Sequence, residues 1–182
     1  MAIVFEMWAE CAGQDDRAAL VKHFDGLQMD LLTGRTIQMQ ARPTSWLPTG
    51  MIVGSPGLSN TGVRSVQDAL ETTECGIRLY HHLKIGPAFR FARVAWEAEN
   101  IPSAELKDYV SPLMPGESHL EIEGVFHDSL YKQLGSPSFC HPFRDGYWWN
   151  RYSGERYLPL WGNDQSSLVS LHRSLFPEHF GY

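Results

Sequence analysis

Apolar and polar positions alternate most regularly in the middle of the chain. Ile77, Leu79, His81, Leu83 and Ile85 fall on one side of an extended segment, with Arg78, Tyr80, His82 and Lys84 on the other. That is the period of two of a half-buried strand. Phe89, Phe91 and Ala95 then oppose Val94 and Trp96, so the second run predicts a strand covered on both faces, as a central strand is. Gly86-Pro87 lies between them; Gly tolerates positive φ, and Pro has a fixed φ and no N–H for a ladder. The pattern predicts a central antiparallel hairpin, with His81 a core histidine and His82 exposed.

Upstream, residues 3–10 predict a first strand with Phe5, Met7 and Ala9 on one face and Glu6 and Glu10 on the other. Asp15 or Asp16 is a candidate N-cap for a helix whose stripe is Leu20, Phe24, Leu27 and Leu31. That stripe favours a helix reaching Leu31. Against it stands Gly26, which costs about 1 kcal/mol in a helix interior; the alternative is a helix ending at Asp25 and a strand that pairs with residues 36–42 across Thr33-Gly34. Residues 51–53 predict a short strand. A helix then follows the Gly-rich 54–62 loop, with Asn60 or Thr61 as cap, Val63, Val66 and Leu70 buried, and Gly76 at its C-terminal end.

Downstream, the pattern predicts a short helix at 103–109, a strand at 119–126, one or two helical turns at 128–134, a hairpin of 147–152 with 156–161, and a last helix that starts at Asp164, buries Leu168, Leu171 and Leu175, and ends at Pro177. Direct hairpins among scattered helices define the class as α+β: a mostly antiparallel sheet with helices packed mainly on one face, in a single domain over 1–182.

Composition narrows the function classes. A chain of 182 residues, 43% hydrophobic, can build one sizeable core. No apolar run is long enough for a membrane span, and no export signal opens the sequence. Cys11, Cys75 and Cys140 are widely spaced and form no C-x-x-C, so a reducing, cytoplasmic location fits better than a disulfide framework. Net charge is −6. Residues 97–128 hold Glu97, Glu99, Glu105, Asp108, Glu117, Glu121, Glu123 and Asp128 against Lys107 alone, so one acidic band carries the whole imbalance. Such a band opposes nucleic acid, which needs clustered Lys and Arg.

Candidate chemistry is sparse. His119, Glu121 and Glu123 share one face of the predicted strand and are ligand types for a divalent metal, but Gly124 invites a bulge before His127, and a solvated polar face explains the same residues. His119-Leu120-Glu121 matches half of a zinc-deaminase signature whose cysteine half is missing. Gly50, Gly54, Gly57 and Gly62 match no phosphate-loop spacing. Gly116 to Leu120 lacks the second glycine of a nucleophile elbow. Cys140-His141 are adjacent, and a catalytic pair usually comes from separate elements. Between Phe143 and Trp161 lie seven aromatics with Arg144, Arg151 and Arg156, a composition shared by interface hot spots, stacking platforms and ordinary core layers.

The reading that follows is a non-catalytic, acidic protein-binding domain, of the inhibitor or immunity kind, that neutralises a basic partner through Glu97, Glu99, Glu121, Glu123, Trp148, Trp149 and Arg151. No cofactor or metal is expected. Alternatives are a small enzyme built on His119, Glu121 and Glu123, with or without a divalent metal, and a sugar or small-ligand binder using the Trp148-Trp149 hairpin.

Overall fold

The computed structural model describes residues 4–58, 62–98, 101–114, 117–155 and 173–174. It is an α+β fold in which a seven-stranded antiparallel sheet lies between two layers. The sheet strands are β1 (Phe5–Glu10), β4 (Gln40–Pro43), β5 (Gly50–Gly54), β6 (Phe91–Trp96), β9 (Gly124–His127), β10 (His141–Arg144) and β11 (Tyr147–Asn150), in the order β10-β11-β9-β6-β1-β5-β4. Two small hairpins stand apart: β2 (Gln28–Asp30) with β3 (Thr36–Gln38), and β7 (Val110–Met114) with β8 (Glu117–Leu120). The edge strands β4, β10 and β7 each carry a proline, Pro43, Pro142 and Pro112. Proline cannot donate to a ladder, so it blunts an edge against further strands.

Alternation sorts the side chains of the sheet onto two cores. On one face Phe5, Met7, Met51, Val53, Val94 and Trp149 meet the helices α1 (Gln14–Phe24) and α2 (Val66–Ile85) through Leu20, Phe24, Leu79, Tyr80 and Leu83. On the other, Trp8, Ile52, Phe91 and Phe126 meet Leu106 of a 3₁₀ helix (Ser103–Tyr109), Leu120 of β8 and Leu130 of α3 (Asp128–Gln133). Phe91 stacks on Phe126 at 5.1 Å between centroids. The two longer helices thus share one face.

The central element differs from the expectation. Residues 77–85 are the second half of α2, and Gly76 lies inside that helix. A Cβ on Gly76 would stand 2.6 Å from Tyr152 Cε1, so the glycine permits a close approach and ends nothing. Ile77 and Ile85 fit a strand by alternation, but Ile85 is 64% exposed, while Thr72, Cys75, Leu79 and Leu83 recur at helical spacing and are buried. The helix starts at Ser65, whose Oγ accepts from Asp68 N at 3.0 Å; Asn60 and Thr61 lie outside the described residues. β6 is central as expected, yet its neighbours are β1 and β9. Neither His81 nor His82 is a fully buried core residue; both are half-buried on α2.

Other boundaries moved for local reasons. α1 ends at Phe24, and Gly26 takes φ +76°, so Leu27 leaves the helical stripe and the shorter alternative, with β2 pairing β3 across Gly34, is the observed one. Gly13 is the N-cap, with Asp15 and Asp16 in the first turn, where acidic side chains favour the helix dipole. Residues 119–126 split into β8 and β9. β11 pairs with β10 and β9; the return strand expected at 156–161 lies outside the described residues, as does the helix expected from Asp164 except for Arg173 and Ser174, which are helical.

Candidate functional site

The acidic band is distributed by the layer that covers the second face of the sheet. Glu10 accepts from Ser103 N at 2.9 Å and Ser103 Oγ at 2.7 Å, which anchors the 3₁₀ helix, and Leu106 is fully buried beneath it. Glu105 and Asp108 are therefore turned out, and both are exposed. The chain continues directly into β7, where Glu121 N donates to Tyr109 O and Ser111 Oγ donates to Glu121 Oε1 at 2.5 Å. Glu117 and Glu121 are exposed on this hairpin. Asp128 sits apart at the start of α3. Lys132 and the Trp148 indole N–H, its hydrogen-bond donors, hold its carboxyl below the usual range. Glu97 is half-buried at φ 52°. Glu99 lies outside the described residues.

Large apolar side chains are exposed in the same layer. Leu113 and Met114 lie where β7 turns toward β8, and Phe139 lies beyond α3 with its ring centroid 6.4 Å from that of His119. Phe139 is 65% exposed and has φ 69°, an uncommon conformation for a bulky residue. Two hydrogen bonds hold the loop just before it: Ser138 N donates to Ser118 O and Tyr131 Oη donates to Pro137 O. No sequence signal marks Phe139. Its significance depends on a backbone angle and on its nearness to β8.

The expected His119, Glu121 and Glu123 face does not persist as one strand. Leu120 ends β8, Ile122 is buried in the second core, and Glu123 accepts from Ser153 N at 3.0 Å. His119 and Glu121 stay with the hairpin and Glu123 leaves it. Among the described residues no group of three or more His, Cys, Asp or Glu could hold a metal ion.

Trp148 and Trp149 part to opposite sides of β11. Trp149 is 1% exposed and packs against Tyr80 and Phe143, so it is a core residue with no surface to offer a partner. Trp148 stacks on Tyr131 at 4.4 Å and is half-buried, as is Arg151.

Cys140 and His141 have the opposite of nucleophilic tuning. Burial pushes the Cys140 thiol up to about 11, and burial with Arg151 nearby lowers the His141 pKa. A thiolate–imidazolium pair needs a depressed thiol beside a cation. Burial likewise pushes Cys11 and Cys75 up to about 12.

One half-buried polar cluster leaves no mark in the sequence. Glu155 accepts from Tyr152 Oη and from Trp96 Nε1, both at 3.0 Å, and its N–H donates to Thr73 Oγ1 at 2.8 Å. Burial raises its carboxyl above the ordinary range, and Glu123 adds to the shift. The cluster fastens the end of the described chain to α2 and β6. Residues this far apart in sequence leave no pattern that reading along the chain could find. No family model, curated protein or solved structure matches the chain.

Proposed function

We propose that this chain is a protein-binding domain of the inhibitor or immunity kind, which engages a basic partner through the outer surface of the 3₁₀ helix, the β7–β8 hairpin and Phe139. One observation carries the reading: exposed Leu113, Met114 and Phe139 occur in the layer that also exposes Glu105, Asp108, Glu117 and Glu121. Apolar anchors ringed by charge are the anatomy of a contact surface, and the sign of the charge selects a basic partner and speeds encounter. Prolines on β4, β7 and β10 argue for recognition by side chains over strand addition. Three free thiols fit a reducing, cytoplasmic setting, and no helix among the described residues is long and apolar enough to cross a membrane.

The test starts from the partner recovered by cross-linking in the source cell. Glu117→Lys with Glu121→Lys should slow its association about tenfold, and added salt should mimic the change within a Debye length of about 8 Å. Phe139→Gly should speed dissociation. A partner whose kinetics ignore salt, the charge reversals and Phe139→Gly would overturn the proposal.

A further inference from the structure

A cleft of about 260 Å³ opens at the other end of the sheet, where β1, β5 and β4 run side by side. The register places Glu6, Gly54 and Gln40 in one row across the three strands, and Ile52 and Arg42 in the next row. Directly paired residues face the same way, so Glu6 and Arg42 line one surface from different strands, with Gly54 as the bare floor between Glu6 and Gln40. Glu6 is nearly buried, whereas Gln40 and Arg42 are exposed and their side chains have no hydrogen-bond or ion-pair partner among the described residues. Val4 and Pro56 supply an apolar wall.

We propose that this cleft binds a free aliphatic α-amino acid. Arg42 takes the carboxylate through the paired N–H donors of its guanidinium, a geometry that a Lys could not reproduce. Glu6 accepts from the ammonium; a carboxylate has room for several donors, so an existing contact does not close it. The apolar wall takes the aliphatic side chain, and the Gln40 amide closes the row. Opposite charges on one surface disfavour a ligand bearing only an anion or only a cation, because each would meet one like charge. The site is independent of the acidic surface described above.

The test titrates the full chain with L-leucine, isocaproate and isoamylamine and follows backbone amide resonances. Leucine should shift the amides of Val4, Ile52, Gly54 and Leu58 saturably, and each truncated analogue should bind about tenfold more weakly. Arg42→Gln should weaken leucine about tenfold or more. Gly54→Val should abolish binding: a Cβ there meets nothing closer than 3.8 Å, so the branched side chain fills the cleft without breaking the sheet. Should that variant fail to fold, Arg42→Gln, an exposed change on an edge strand, decides alone. No saturable shift in the wild type up to about 50 mM, equal binding by Arg42→Gln, or isocaproate binding as tightly as leucine would overturn the assignment.

Discussion

Tyr152 lies against Gly76, so close that a Cβ on the glycine would stand 2.6 Å from Cε1 and 2.9 Å from Cζ. The ring cannot simply move away. It is 7% exposed, tilted against Tyr80 at 5.8 Å, and tied through its hydroxyl to Glu155. Gly76→Ala should gain about 1 kcal/mol of helix propensity and lose about 1 to 3 kcal/mol to overpacking. The expected result is net destabilisation by up to about 2 kcal/mol in urea unfolding, turning neutral or favourable when Tyr152→Leu is also present. A Gly76→Ala variant about 1 kcal/mol more stable than wild type would show that the ring yields at no cost.

Tyr147 acts as a strand partner for Phe89. Its hydroxyl accepts from Phe89 N at 3.0 Å and donates to Phe89 O at 2.9 Å, and all these groups are buried. The guanidinium of Arg144 covers the ring at 4.3 Å and donates to Gly86 O and Pro87 O, holding the connection from α2 to β6. Tyr147→Phe should cost about 1 to 3 kcal/mol, because it leaves the buried N–H and C=O of Phe89 without this partner. Amide exchange at Phe89 should accelerate; retained protection there would argue that another acceptor takes over.

The class of fold was legible because it depends on repeated local patterns. β1 and β6 show their faces in sequence, and the 3₁₀ helix at 103–109 falls where Pro102 and a short apolar spacing put it. What misled was the overlap of two periods at 77–85, where Leu79 and Leu83 serve a strand and a helix equally well. Only Tyr152, seventy-six residues beyond Gly76, explains why that glycine sits within a helix. The acidic band was legible as a charge count, but Glu123 turning inward and Phe139 turning outward depend on chain reversals that composition does not encode.

His82 makes the fold sensitive to acid. Burial, followed by His23, His81 and Arg78, depresses its pKa to about 4. Between that value and the ordinary 6.5 of an unfolded histidine, the unfolded chain binds the extra proton, so stability falls as pH drops from about 6.5 to 4. The imidazole is about half-exposed, so solvent screening leaves an effect of about 1 to 2 kcal/mol. Glu155 works in the opposite sense, since its raised carboxyl binds a proton more readily in the fold. Urea midpoints at pH 7 and pH 5 should differ less in His82→Gln than in wild type. Identical pH slopes would mean that His82 titrates alike in the folded and unfolded states, as a fully solvated imidazole does.

Phe139 holds a left-handed backbone with little burial to justify it. Relief of a strained φ is worth about 1 to 3 kcal/mol, and the entropy of an added glycine takes back about 0.5 to 1 kcal/mol. Phe139→Gly should therefore stabilise the isolated protein, by up to about 2 kcal/mol in thermal or urea unfolding. A gain in stability together with a loss of partner affinity is the signature of a residue kept for contact. A variant that is less stable would instead assign Phe139 a packing role.

Glu71 joins the turn of the β2–β3 hairpin to α2. It is 3% exposed and accepts from Thr33 Oγ1 at 3.0 Å, Arg35 at 2.7 Å and Gln67 Nε2 at 2.9 Å, while one turn on Glu74 accepts from Leu32 N at 2.8 Å. Burial alone would raise the Glu71 carboxyl, but the three donors outweigh it and hold the group below its ordinary value. Its contribution is therefore present at neutral pH and fades as pH falls below the ordinary carboxylate range. Because the Arg35 side chain is 45% exposed, it can return to water when its partner is lost, so Glu71→Ala should cost about 2 kcal/mol, less than the 3 to 5 typical of a fully buried pair. The loss should be local: hydrogen exchange should quicken at Leu31, Leu32 and Gly34, while β1 and β6 keep their protection. If exchange quickens equally across the sheet, the hairpin is part of the cooperative core and the staple is not a separate unit.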